Sequence, residues 1–316
     1  MQREQLAQRV LCFFIYCFLG WVWETCYVSF RKKKFVNRGF MKGPLLPIYG
    51  SGALCILFAS EPFKGNYIMM AVAGMTMATV LEYVTGAAME AIFRVRYWDY
   101  SNDFLNINGY VCLKSTLCWG VMTLGVVYIV HPPIAKFVEG LRENVLYMLD
   151  TVITILAVAD FATSFKDAWD FRTLLIRAEK LREEMRSIQA RLEALPQELA
   201  ESVQENILEL RERTREALLI EGTRTKEALQ EKTEAFRERT ALKRSQLELE
   251  MQELSARRAA FQEGLRSGYY RGIHGLLKRN PGAVWKRNPE VLEDMKKLIR
   301  EHGKQKKQDG KKNGDY

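Results

Sequence analysis

The sequence predicts an all-α protein: a polytopic helical membrane bundle of about five spans, N-terminus outside and C-terminus inside, followed by a long cytoplasmic coiled-coil helix. Three observations predict it. Apolar runs fill the chain up to residue 165, beyond which Glu, Arg, Lys and Leu dominate. Basic residues crowd into alternate loops. Beyond Leu174, apolar residues recur at alternating steps of four and three. The expected domains are a transmembrane helical domain (1–165), a cytoplasmic coiled coil (166–266) and a basic helical or disordered tail (267–316).

A helix needs roughly 20 mostly apolar residues to cross the hydrocarbon core. The first span is expected at 6–28; Arg3 and Arg9 precede its apolar run, but it lacks small-residue cleavage spacing and reads as a retained helix. The second, at 45–60, is short and carries Pro47, Gly50 and Gly52, so a kinked or partly broken span is expected. The third, at 67–93, is long enough to tilt or protrude. The fourth is expected at 111–130. The fifth, at 145–165, is interrupted by Asp150 and Asp160.

Sidedness follows from the short loops. Residues 31–42 hold six basic residues and no acid, which places that loop in the cytoplasm. Alternation puts the 94–110 loop and everything after residue 165 on the same side, and the tail, with thirteen basic residues against six acidic, agrees. Beside membrane helices such a net charge of +9 marks topology and anionic lipid and speaks against nucleic acid. The expected location is a bacterial plasma membrane, multi-pass, with the lipid bilayer as first partner. The six cysteines show no Cys-x-x-Cys pair and no interleaved histidine, so no metal, no disulfide framework and no cofactor is expected.

Ionisable residues inside spans are costly and tend to line bundle interiors. Glu24 lies in the first span and Glu82 and Glu90 in the third. On the third helix Gly74, Ala78, Glu82, Gly86 and Glu90 recur every four residues, a packing seam with two carboxylates in it. These acids either fasten helices, by accepting hydrogen bonds or pairing with arginines, or line a substrate or proton path. Depth places Glu24 and Glu90 level with Arg38, Arg94 and Arg96, and Glu82 about 12 Å deeper at 1.5 Å per residue. A charged cluster at the inner boundary is expected from Glu24, Glu82, Glu90, Arg38 and Asp99.

The two cytoplasmic loops are unusually rich in residues that set special backbone angles or favour the interface. One carries Asn37, Gly39, Gly43 and Pro44; the other carries Trp98, Tyr100, Asn106, Asn108 and Gly109. A structured lid or re-entrant element is expected of them. Together, Phe18-Leu19-Gly20-Trp21 with Glu24, the 37–50 string, Glu82-Tyr83, Glu90, Trp98-Asp99-Tyr100-Ser101 and 106–109 resemble the CmpB-like family, labelled "putative ABC transporter permease" or ABC-transporter type IV. The resemblance covers about residues 10–130. It implies a membrane-spanning, permease-like subunit of a transport system, energised by a separate cytoplasmic ATPase. The chain itself lacks a Gly-x-x-x-x-Gly-Lys-Ser/Thr string, and no nucleophile–base set suggests an enzyme.

In the cytoplasmic half, Leu174, Ala178, Leu181, Met185, Ile188, Leu192, Leu195 and Leu199 make a coiled-coil seam. An eleven-residue step follows through Ile207, Leu218 and Leu229. Heptads return at Leu247, Met251, Leu254, Phe261 and Leu265. Pro196 is expected to kink or restart the helix and Gly222 to weaken it. Fully extended, residues 171–266 would reach roughly 140 Å. Such a stripe needs a partner: a parallel homodimer first, a partner helix or folding back second, the inner leaflet third. The length of this rod motivates a second function class, a membrane-anchored scaffold or sensor without transport. The tail repeats Lys-Arg-Asn-Pro at 278–281 and 286–289, read as two capped helix starts.

Overall fold

The computed structural model describes residues 2–217, 224–266 and 271–299. The elements in chain order are α1 (Gln2–Lys32), α2 (Pro47–Ser60), α3 (Tyr67–Phe93), α4 (Leu113–Glu139), α5 (Glu143–Ala217), α6 (Arg224–Arg266), α7 (Arg271–Arg279) and α8 (289–299). The chain divides into two units: one is formed by Met1–Leu175 with Gly268–Tyr316, the other by Ile176–Ser267.

Among the described residues, four helices are long and apolar enough to cross a membrane: Gln2–Lys32, Tyr67–Phe93, Leu113–Glu139 and Glu143–Gln197. The second expected span differs. At 14 residues α2 is about 21 Å long, short of the roughly 30 Å hydrocarbon core. The approach to it is non-helical, and Leu46 donates its amide to the Cys17 carbonyl in the middle of α1 (3.0 Å). The fourth span is longer than expected. The His131 amide bonds the Val126 carbonyl five residues back, and this π turn carries the helix through Pro132 and Pro133 to Glu139. The outer loop expected at 131–144 shrinks to 140–142.

Buried positions on α3 are Met70, Gly74, Ala78, Glu82, Gly86 and Phe93, so the four-residue stripe is the face that packs inward. Toward one end of the bundle, Ala7, Leu11, Cys12 and Tyr16 of α1 gather Ala53, Val138 and Leu146 around them. Toward the other, Phe40, Phe93, Tyr97, Phe161 and Phe165 form a ring cluster with centroids 5.1–6.4 Å apart. Cys12, Cys17 and Cys112 are buried free thiols, Cys55 is partly buried, and Cys26 and Cys118 are exposed.

The tail belongs to this first unit. Ile273, Leu276, Leu277, Ala283, Trp285, Val291, Leu292 and Met295 are buried, so residues 271–299 are packed structure, not a solvated appendage. Asn288-Pro289 opens α8 as expected, but Asn280-Pro281 opens no helix: Asn280 follows the end of α7 and Pro281-Gly282 is a turn. The disorder expected from Gly303 onward lies outside the described residues.

The second unit is a helical hairpin. Ile188 and Leu195 of α5 pack on Leu247 and Leu254 of α6, with Leu181, Met185, Leu192 and Met251 against them. The heptad seam thus finds its partner inside the chain, the alternative ranked second above, and no single extended rod of 171–266 forms. Pro196 neither ends nor restarts the helix; α5 runs through it. The eleven-residue step through Ile207, Leu218 and Leu229, and the weak point at Gly222, lie outside the described side chains.

Candidate functional site

The first loop descends alongside α1. Asn37 accepts a hydrogen bond from the Trp21 indole (2.6 Å) and donates to the Lys42 carbonyl (2.8 Å). The Arg38 amide reaches the Thr25 hydroxyl (3.2 Å) and, further on, Leu46 reaches Cys17. From Thr25 to Cys17 is eight residues of helix, about 12 Å. Non-helical backbone at such depth must be satisfied by protein. Asp160 of α5 does this: its two oxygens accept the amides of Lys42 (3.0 Å) and Gly43 (2.7 Å). Pro44, which has no amide to satisfy, sits in the same descent. The acid expected to interrupt the fifth span is what caps this loop.

The second loop turns back over the end of α3. Arg94 ends the helix in the left-handed region (φ 62°), its amide on the Glu90 carbonyl (2.8 Å), and its side chain is exposed. Arg96, buried at 8% exposure, is the hub. Its Nε donates to Glu90 Oε2 (2.6 Å), its Nη1 to the Asn108 carbonyl (2.7 Å) and to Asp99 Oδ1 (3.4 Å), and its guanidinium lies 4.5 Å from the Tyr110 ring centroid. Tyr110 also donates its hydroxyl to Glu90. Trp98 Nε1 donates to the Tyr110 carbonyl (2.9 Å), and the Tyr100 amide to the Gly109 carbonyl (2.9 Å). Asn106 holds the turn through the carbonyls of Ser101 and Asp103 and the Gly109 amide; Asn108 reaches the Tyr83 hydroxyl (2.9 Å). Two glycines sit where a side chain would be crowded. A Cβ on Gly86 would stand 3.0–3.1 Å from Tyr110 and Trp98, and Gly109 has φ 73° in a crowded turn.

Deeper, two acid–tyrosine pairs meet. Tyr49 donates its hydroxyl to Glu24 Oε1 (3.2 Å), and Tyr100 to Glu82 Oε1 (3.3 Å). Trp119 Nε1 takes Glu82 Oε2 (2.9 Å), and its ring lies 6.1 Å from that of Tyr49. Glu24 is close enough to Glu82 and Tyr100 to interact with both electrostatically. Glu82, 7% exposed, therefore has neutral donors rather than an arginine, an arrangement suited to accepting a proton or a cation.

The expected single cluster of Glu24, Glu82, Glu90, Arg38 and Asp99 is thus two clusters. Arg96 gathers Glu90 and Asp99; Tyr49, Tyr100 and Trp119 gather Glu24 and Glu82. Arg38 joins neither. It donates to the Tyr97 carbonyl (3.2 Å), the Asn280 side-chain oxygen (2.9 Å) and the Arg279 carbonyl (3.4 Å). Asn280 in turn donates to the Gly39 carbonyl (3.0 Å). Arg96 and Val284 exchange backbone hydrogen bonds in both directions (2.8 and 2.9 Å). This contribution of the tail had no signal beyond the Lys-Arg-Asn-Pro repeat.

Charge follows the same geometry. Burial alone would raise the Asp99 carboxyl, but the hydrogen bonds from Ser101 and the charges of Lys286 and Arg96 outweigh it and hold its pKa below the ordinary value. Burial lowers the Arg279 guanidinium, with Asp167, Asp160 and Tyr97 opposing. Its Nε and Nη2 are buried without a hydrogen-bond partner. Among the described residues no group of three or more His, Cys, Asp or Glu is placed to hold a metal ion.

Residues 11–165 match the sequence model of the family described as "Putative ABC-transporter type IV". No curated protein and no solved structure matches the chain significantly.

Proposed function

Residues 11–165 belong to that family of ABC-transporter-related membrane proteins, and on this premise we propose that the chain is the membrane-spanning, permease-like subunit of a transport system. In this reading it is multi-pass in a bacterial plasma membrane, with the N-terminus outside and the two folded loops, the hairpin and the tail in the cytoplasm. It catalyses no reaction itself. A separate cytoplasmic ATPase supplies energy and docks on the loop face.

The observation that carries the reading is Glu82. A carboxylate at membrane depth, held by the neutral donors Tyr100, Trp119 and Ser115 and set beside Glu24, is a costly arrangement for mere packing. Tyr100 belongs to the loop above it, so movement of that loop changes the acid's surroundings. The test compares the solute content of cells carrying the native chain, a deletion, and Glu82→Gln, which preserves shape. Deletion and Glu82→Gln should shift the same solutes, and an ATPase should co-purify with the native chain. If the deletion strain keeps every solute flux unchanged, the transport reading fails.

The hairpin favours a second reading, a membrane-anchored scaffold or sensor. Its seam is satisfied within the chain, which leaves the outer faces of α5 and α6 for other proteins and removes the need for a homodimer through that seam. Removal of 176–267 without loss of the native function would exclude it.

A further inference from the structure

The two loops meet through the Phe40 and Tyr97 rings and through a hydrogen bond whose donor, Arg38, also touches the tail. Arg38 of the first loop holds the Tyr97 carbonyl of the second and, with the same guanidinium, Asn280 and the Arg279 carbonyl. Asn280 returns a bond to Gly39 of the first loop. Four residues on, Val284 pairs its backbone with Arg96 of the second, and the charge of Lys286 faces Asp99. Residues 280–286 thus run across both loops and bond to each.

The bonded residues connect directly to the acids beneath. Arg96 fixes Glu90 and the Asn108 carbonyl, and Tyr100, four residues after Arg96, sits on Glu82. Whatever holds Arg96 in place holds Tyr100 over the carboxylate.

The polar part of the attachment is slight. Residues 271–299 are too few for an independent core, so their order is borrowed from the surface they cover. The backbone pairing is an isolated bridge of two bonds. Arg279 is carried into the contact with two nitrogens buried and unbonded, a desolvation penalty that release would relieve.

We propose that residues 271–299 form a releasable strap: docked, they bind the two loops together as a lid over Glu24 and Glu82, and on release they let that lid open on the tail's side of the bundle. The strap does not depend on the transport reading. If the chain moves no solute, the lid and its strap stand or fall on their own measurement.

The measurement is hydrogen exchange, resolved by peptide, on the full-length protein in lipid nanodiscs. Val284→Pro removes the amide that Arg96 accepts, Val284→Ala keeps it, and Asn280→Ala removes the side-chain bonds to Gly39 and Arg38. In the native chain, peptides covering 36–43, 94–110 and 271–299 should be protected and open together. Val284→Pro should speed exchange in all three by about ten-fold or more, as loss of a buried backbone bond and stranding of its partner imply. Val284→Ala should leave them within about two-fold, a surface-sized effect. Asn280→Ala should act as Val284→Pro does, and it guards against a proline that prevents folding. In both loosening variants buried Cys112, at the base of the second loop, should react faster with a water-soluble maleimide. Two outcomes overturn the proposal: a native tail that exchanges like unstructured chain, or a tail loosened by either variant while 36–43, 94–110 and Cys112 stay protected.

Discussion

Arg96 makes its contacts with a planar fork: Nε on Glu90, Nη1 on Asn108 and Asp99, and the face of the group on Tyr110. Arg96→Ala would leave Glu90 without its cation and should cost about 3–5 kcal/mol, the range for breaking a buried pair; thermal unfolding in detergent measures it. Arg96→Lys should recover little, since an ammonium cannot reproduce the fork. Asp99 sets a pH dependence. Its folded pKa is depressed, so its contribution is complete above the unfolded value of 3.8 and is lost as acidification passes below that value. Trp98 fluorescence should follow this loss in the native chain, and Asp99→Asn should show a smaller acid response. The acids were legible because carboxylates stand out in apolar runs. Their partners were not: Arg94 and Arg96 look alike in sequence, and only the left-handed turn at Arg94 sends one outward and the other in.

Asp160 illustrates how an element depends on a distant one. It supplies both acceptors for the Lys42 and Gly43 amides, so Asp160→Ala should destabilise the bundle by about 2–3 kcal/mol, with the loss concentrated at 36–46. Peptide-resolved exchange would locate it. The helices α1 and α3 follow their apolar runs closely, and the stripe of Gly74, Ala78, Glu82 and Gly86 was readable because a four-residue recurrence has one geometric meaning on a helix. The second and fourth spans were less readable. Pro132 and Pro133 mark a helix end unless a π turn absorbs them, and composition does not announce π turns. Likewise Pro and Gly near 44–52 signalled a broken span without saying how much of it would be loop.

For the whole molecule, the heptads specified a seam but not whose residues would fill it, because a dimer and a hairpin use the same pattern. Here Ile188 and Leu195 meet Leu247 and Leu254. Leu247→Ala should cost about 2–5 kcal/mol of hairpin stability, as for other large-to-small changes in a packed core. Circular dichroism on heating should show the α5–α6 helices melting earlier while the apolar bundle keeps its helicity. The tail was the least legible region: its sequence suggested two capped helices and a disordered end, and nothing in it pointed to the burial of Ile273, Trp285 and Leu292 or to the bonds of Asn280 and Val284 with the loops.

Leu175 is where the chain leaves the first unit and Gly268 is where it comes back. A protease nick between Ala217 and Arg224 would therefore shed nothing: the downstream fragment would stay attached through its leucine seam and through Asn280 and Val284. Two separately expressed polypeptides, cut at that point, should reassemble and co-elute from a membrane extract.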